Sequence, residues 1–185
     1  MDVLLTDEQK ALRQALREMA GDHRGAPDAL LKKISEKFAL ASFSAMDSAI
    51  LFEELGRVRF QAGLDLAERV TADSGQRRLC RAAVCLGDVL SLLESCSKAE
   101  RRSLDLDGRS GLPPKSEDAR QTIVEGYTEL ETARLLLFRS ASRLHSGSGD
   151  DDDLRRLEET ALDLRSRLRA RLNPKRSSRR SKSSG

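Results

Sequence analysis

The sequence predicts an all-α protein, and three observations carry that expectation. Aromatics make up only 3% of its 185 residues, with no Trp, one Tyr and five Phe. Ala, Leu, Arg and Glu dominate, residues that suit helices well and sheets poorly. The four prolines, Pro27, Pro113, Pro114 and Pro174, all fall between stretches of helical periodicity, where a missing amide donor does no harm.

The first helix is expected from Asp7 to Ala20. Thr6 and Gln9 form a capping-box pair ahead of it and Gly21 stops it. Its apolar stripe is Ala11, Leu12, Ala15, Leu16 and Met19, the spacing of one buried face. A weaker helix follows Pro27 with Leu30, Leu31, Ile34 and Phe38, and a third starts at Ser44 with Asp47 as its box partner. The third buries Ala49, Ile50, Phe52 and Leu55 and is expected to end at Gly56.

From Gln76 to Cys96, Leu79, Ala83, Leu86, Leu90 and Leu93 repeat at three-four spacing, widened by Ala82 and Val89. "RRSLDLDGRSGLPPKS", Arg101 to Ser116, then reads as a loop, because glycine and a Pro-Pro pair break helical periodicity. Ser116 caps a long helix to His145 with Glu117 and Asp118 in its first turn, where the dipole favours acids. "SGSGDDDD" connects it to a last helix carrying Leu154, Leu157, Ala161, Leu164, Leu168 and Leu172, close to a coiled-coil seam. The expected organisation is an N-terminal helical segment (1–66) packed on an antiparallel C-terminal helical bundle (76–172), followed by a disordered basic tail (173–185).

The formal charge of +3 belongs to that tail, which holds Lys175, Arg176, Arg179, Arg180 and Lys182 and no acid. Without those five, 28 basic residues face 30 acidic ones. The pI of about 8.9 therefore does not describe a basic domain face. With no aromatics to stack bases, sequence-specific nucleic-acid binding is not expected. The cysteines, Cys80, Cys85 and Cys96, are odd in number and lie in one helix, which fits reduced thiols in the cytoplasm. No basic region followed by an apolar stretch opens the chain, and no apolar run approaches membrane-spanning length.

Three fragments carry a family resemblance. "MDVLLTDEQKALRQALREMA" (Met1–Ala20) resembles the first helix of acyl-CoA dehydrogenases, with its acid, apolar, T-x-E-Q order. "AILFEELGRV" (Ala49–Val58) is similar to that family's "EELGR" helix. "EGYTELETARLLLFRSA" (Glu125–Ala141) is similar to the bundle helix that typically reads "DMYTELEAARLLLYRAA". The resemblance covers roughly 1–20, 45–60 and 76–145. It implies two helical domains flanking a β-domain, FAD held between them across a subunit interface, and a glutamate that takes the α-proton of an acyl-CoA. It also implies an oligomer built through the bundle.

The departures point away from catalysis. "VRFQAGLDLAERVTADSG" (Val58–Gly75) stands where the family has its β-domain. Arg101 matches the arginine that meets the FAD diphosphate in the family's R-x-x-F-G loop, but Leu104 and Asp105 replace Phe and Gly. The flavin-contacting "QIHGGxG" segment has no counterpart, and neither does the late catalytic glutamate. Where some members carry that base in the first bundle helix, this chain has Arg77, which stays protonated. The expectation is a degenerate, non-catalytic relative with no cofactor. Its leucine seams exceed what a short chain buries alone, so it would pair with itself or with a full-length dehydrogenase. An active FAD-dependent subunit completed by a partner chain is one alternative, and an unrelated helical adaptor is the other.

Local constellations add little chemistry. Glu125 and Glu129 share a helix face, where one could raise the other's pKa, yet they are expected to be solvated helix acids, with Glu131 and Arg134 or Arg139 as ordinary surface pairs. Tyr127 is expected to be a core or interface aromatic with a wet hydroxyl. His23 and His145 stand alone, without metal-ligand spacing. Asp150–Asp153 reads as a helix N-terminal acid cluster rather than a calcium loop. Cys80, between Arg77 and Arg81, is the one thiol with neighbours that could lower its pKa.

Overall fold

The computed structural model describes residues 5–22, 32–34, 36, 43–70, 73–110 and 117–172. These residues form no strand. They contain five long helices: α1 (Asp7–Asp22), α2 (Ala45–Val70), α3 (Ser74–Ser110), α4 (Glu117–His145) and α5 (Asp151–Leu172). The basic tail, His23 and the Ser116 cap lie outside the described residues.

The helix ends follow local chemistry. Gln9 N–H donates to Thr6 Oγ1 and Thr6 N–H to Gln9 Oε1, at 3.2 and 3.1 Å, the reciprocal capping box. Asp47 N–H and Ser44 N–H do the same ahead of α2, each at 3.1 Å. Asp73 accepts from Gln76 N–H at 2.8 Å and Asp150 from Asp152 N–H at 3.0 Å. At the end of α4, Ser148 N–H bonds to Arg143 O and Gly147 N–H to Leu144 O, a Schellman motif. That motif needs a left-handed residue, and Gly147 supplies it at φ 71°.

Ion pairs and close contacts give the helix directions. Glu53 and Gly56 lie against Gly87 and Val84, so α2 runs antiparallel to α3. Gly75 meets Leu144 and Gly126 meets Leu93, so α4 also opposes α3. Arg143–Asp153 and Arg167–Glu129 make α5 antiparallel to α4. Helix α3 is the central beam and touches α2, α4 and α5. One core runs through all five helices, from Leu5 and Leu16 through Phe52, Leu86 and Leu93 to Leu137, Leu164 and Leu168.

Three expectations are corrected. Helix α2 does not end at Gly56 but continues to Val70, bending at Arg59 (φ −147°, ψ 77°). Gly56 is there for proximity: a Cβ on it would lie 2.0 Å from Val84 O, and one on Gly87 1.9 Å from Glu53 O. The two helices cross backbone to backbone, which only glycines allow. Second, the stretch from Arg101 is helical as far as Ser110. Gly108 is tolerated inside the helix at a modest cost, and Pro113 and Pro114 lie outside the described residues. Third, the chain buries most of its leucine seams itself, with Leu90 and Leu172 partly covered. Leu79, Leu86, Leu93, Leu157, Leu164 and Leu168 are all buried within the single chain.

Candidate functional site

The residues with chemical potential gather where α1, α2, α3 and α4 meet. From the "FEELGR" turn of α2, Glu53 and Glu54 point into the protein and are 1% and 3% exposed. Arg13 of α1 donates to Glu53 Oε2 at 2.7 Å, and Arg134 of α4 donates to the same oxygen at 3.3 Å. Arg134 also holds Glu131 at 2.9 Å. Glu54 receives Arg17 at 3.0 Å and Arg57 at 3.3 Å. Arg57 then reaches Glu94 of α3 at 2.8 Å. Four guanidiniums and four carboxylates thus form one balanced chain of charge.

Burial in that network disfavours the charge of Arg134, but Glu53 and Glu131 outweigh it and hold the group above its ordinary pKa. Arg57 behaves likewise: burial opposes its charge, and Glu94 and Glu54 overcome that opposition. Hydrogen bonding of each charge to its opposite is what makes such burial tolerable.

This corrects the treatment of Arg134 as a surface residue. It is buried, and its guanidinium spans from Glu131 to Glu53. The expected stripe on α1 needs the same correction. Leu16 is buried, but Ala11 is exposed and Arg13, outside the stripe, is 2% exposed. The waiting carboxylate of Glu53 draws it in. Glu125 and Glu129 form surface pairs with Arg171 and Arg167 of α5.

At its outer end the network opens into a surface cleft of about 240 Å³, lined by Arg57, Glu94, Ser97, Lys98, Arg101 and Tyr127. The cleft brings together Arg57 of "EELGR", Arg101 of "RRSLD" and Tyr127 of "YTELE", which are far apart in sequence. Lys98 and Arg101 are exposed and pair with no acid among the described residues. Arg77 lies 3.7 Å from Glu68 in an ion pair.

The thiols are not activated. Burial pushes Cys80 up to about 12 and Cys85 to about 11. Burial also raises Cys96. The arginines beside Cys80 turn to acids instead, Arg77 to Glu68 and Arg81 to Glu68 and Glu158. Among the described residues no group of His, Cys, Asp and Glu could hold a metal ion, and no helix is long and apolar enough to cross a membrane.

The buried acids Asp88 and Glu158, each 8% exposed, were not singled out by periodicity. Asp88 takes Arg165 and Arg169 at 2.7 Å each, and Glu158 takes Arg81 at 3.0 Å and Arg78 at 3.4 Å. A signal for Glu53 and Glu54 existed: two adjacent acids inside the otherwise apolar run "AILFEEL".

The site and fold define a helical-bundle protein organised around buried arginine–carboxylate pairs. No protein-family model, no curated protein and no solved structure matches the chain.

Proposed function

We propose that this chain acts by association with another protein chain and not by catalysis. It is a helical-bundle protein resembling the helical parts of acyl-CoA dehydrogenases without their reaction chemistry. One observation carries this reading. Each buried carboxylate among the described residues, Glu53, Glu54, Asp88 and Glu158, is flanked by at least two guanidiniums. A general base must reach the proton it takes, and these carboxylates are buried on guanidiniums and line none of the clefts described among these residues. Their geometry fits a scaffold. The test is a preparation of the full chain, assayed with acyl-CoA and an electron acceptor, alone and with a full-length dehydrogenase. A colourless, inactive protein is expected; flavin absorbance with turnover, alone or in the mixture, would overturn the proposal.

A second reading has its own observation, the convergence of Arg57, Lys98, Arg101 and Tyr127 on one cleft. Two cations without acidic partners suit a diphosphate, so Arg101 with Lys98 would hold that part of FAD. The cleft's volume falls below the ~300 Å³ lower bound of sites that bury a drug-sized ligand. A partner chain would have to surround the flavin ring. In this reading the protein is one subunit of an FAD-dependent oxidoreductase. Titration of the chain with ADP and FAD tests it: binding weakened in Arg101→Ala supports it, and no binding at millimolar ligand removes it.

A further inference from the structure

We propose that the outward face of α4 is a self-association surface, on which a second copy of this chain lays its own α4 in antiparallel orientation. The inference rests on the association reading above and names the partner.

The face is apolar where a solvated helix would be charged. Val124, Leu135 and Leu136 are 65%, 45% and 42% exposed. Between them the outward positions are Thr128 and Thr132. Neither hydroxyl needs a partner, because Thr128 Oγ1 donates to Val124 O at 3.2 Å and Thr132 Oγ1 to Thr128 O at 3.0 Å. Both hydroxyls are thus turned back onto the helix backbone. From Val124 to Leu136 the solvent-facing charges are Glu125 and Glu129, both already paired with arginines of α5, Arg171 and Arg167, in a chain that is 34% charged. The three other sides of α4 are already engaged with α2, α3 and α5.

The charge pattern selects a second copy as the occupant. Asp118 and Glu125 stand exposed toward the N-terminal end of the face, and Arg139 toward the C-terminal end. Arg139 pairs with no acid among the described residues and borders a groove of about 200 Å³ floored by Leu136 and Leu157. The exposed Arg156 lies across that groove, also without an acidic partner. An antiparallel copy brings the acidic half of one helix onto the basic half of the other, twice, by symmetry. Val124 and Leu136 are equidistant in sequence from the midpoint of Thr128 and Thr132. A two-fold axis at that level therefore sets Val124 on the partner's Leu136, Thr128 on the partner's Thr132, and Arg139 within reach of the partner's Glu125. Such an isologous contact is self-complementary, and threonines at its centre let the two helices approach closely. Like charges would meet in a parallel pairing.

Analytical ultracentrifugation of the full chain, from micromolar to a few hundred micromolar, tests the proposal. A concentration-dependent dimer is expected. Thr132→Arg places two like charges at the axis and should raise the dimer Kd by at least about 30-fold, with circular dichroism unchanged because the position is exposed. Glu125→Arg and Arg139→Glu should each weaken the dimer, and the double variant should restore it. That rescue cannot come from misfolding. A wild-type chain that stays monomeric throughout, or a dimer indifferent to Thr132→Arg and to both charge reversals, would overturn the proposal. Either result leaves the association reading standing, since only flavin-dependent turnover removes that.

Discussion

Arg134 meets Glu53 across 81 residues of sequence, with both side chains almost wholly out of water. Arg13 approaches the same carboxylate from the other side. Removing the acid leaves two buried guanidiniums facing each other. Glu53→Ala is therefore expected to cost about 3–5 kcal/mol, read as a lower urea midpoint. Replacing all three partners with apolar residues of similar size, Arg13→Met, Glu53→Leu and Arg134→Met, should recover most of that loss. If the triple variant is no more stable than Glu53→Ala, the network stabilises by something other than mutual neutralisation.

The α2–α3 crossing makes a second prediction. A methyl at Gly56 or Gly87 would overlap carbonyl oxygens of the facing helix, and backbone cannot step aside as a side chain can. Either alanine variant should lose at least about 3 kcal/mol. Gly147→Ala meets no neighbour within 4 Å and bears only the left-handed backbone cost, about 1–2 kcal/mol. Thermal melts of the three variants give the order directly.

Buried thiols link stability to alkaline pH. Cys80 is held neutral in the fold up to about 12, against an ordinary value of 9.0. The unfolded thiol ionises first, so above pH 9 the unfolded state binds fewer protons and stability falls as pH rises. The contribution is complete below pH 9 and is lost progressively toward 12. Cys80→Ala should flatten this dependence relative to wild type over the same range, whatever its effect at neutral pH. At pH 8, a thiol reagent should modify Cys96 first and leave Cys80 until the protein unfolds, measured by mass spectrometry.

The clasp of α5 is also testable. Asp88 alone receives Arg165 and Arg169, while the guanidinium of Arg165 also lies 3.6 Å over the Phe60 ring. Asp88→Asn removes the charge that holds both arginines and should cost about 2 kcal/mol, discounted from a fully buried pair because the arginines are partly solvated. Hydrogen exchange should accelerate in Leu164–Leu172 more than in α2. Uniform acceleration would show that α5 is not held separately at this point.

Much of the bundle was legible from local rules. The Thr6–Gln9 and Ser44–Asp47 boxes, the seams of α3 and α5 and the acid cluster at Asp150–Asp153 are properties of neighbouring residues, and neighbouring residues decide them. The misreadings share a cause. Gly56 looked like a stop because glycine ends helices when nothing packs on it, and here Val84 does. Arg134 looked like a surface residue, and Arg13 lay outside the expected stripe, because an arginine belongs in water unless a carboxylate waits inside. The cleft of Arg57, Lys98, Arg101 and Tyr127 could not be seen at all, since its members come from three helices.

By itself, then, the sequence determined that the chain is helical, where most helices begin, and which leucines line each buried face. These follow from caps, propensity and a 3.6-residue period, all of which act over a few residues. Only the tertiary structure decided which charges are buried, why two glycines face a neighbouring helix, and that most of the leucine seams are buried within one chain. Those outcomes depend on which helices meet, because a buried charge or a bare backbone is tolerable only when its counterpart arrives from a distant part of the chain.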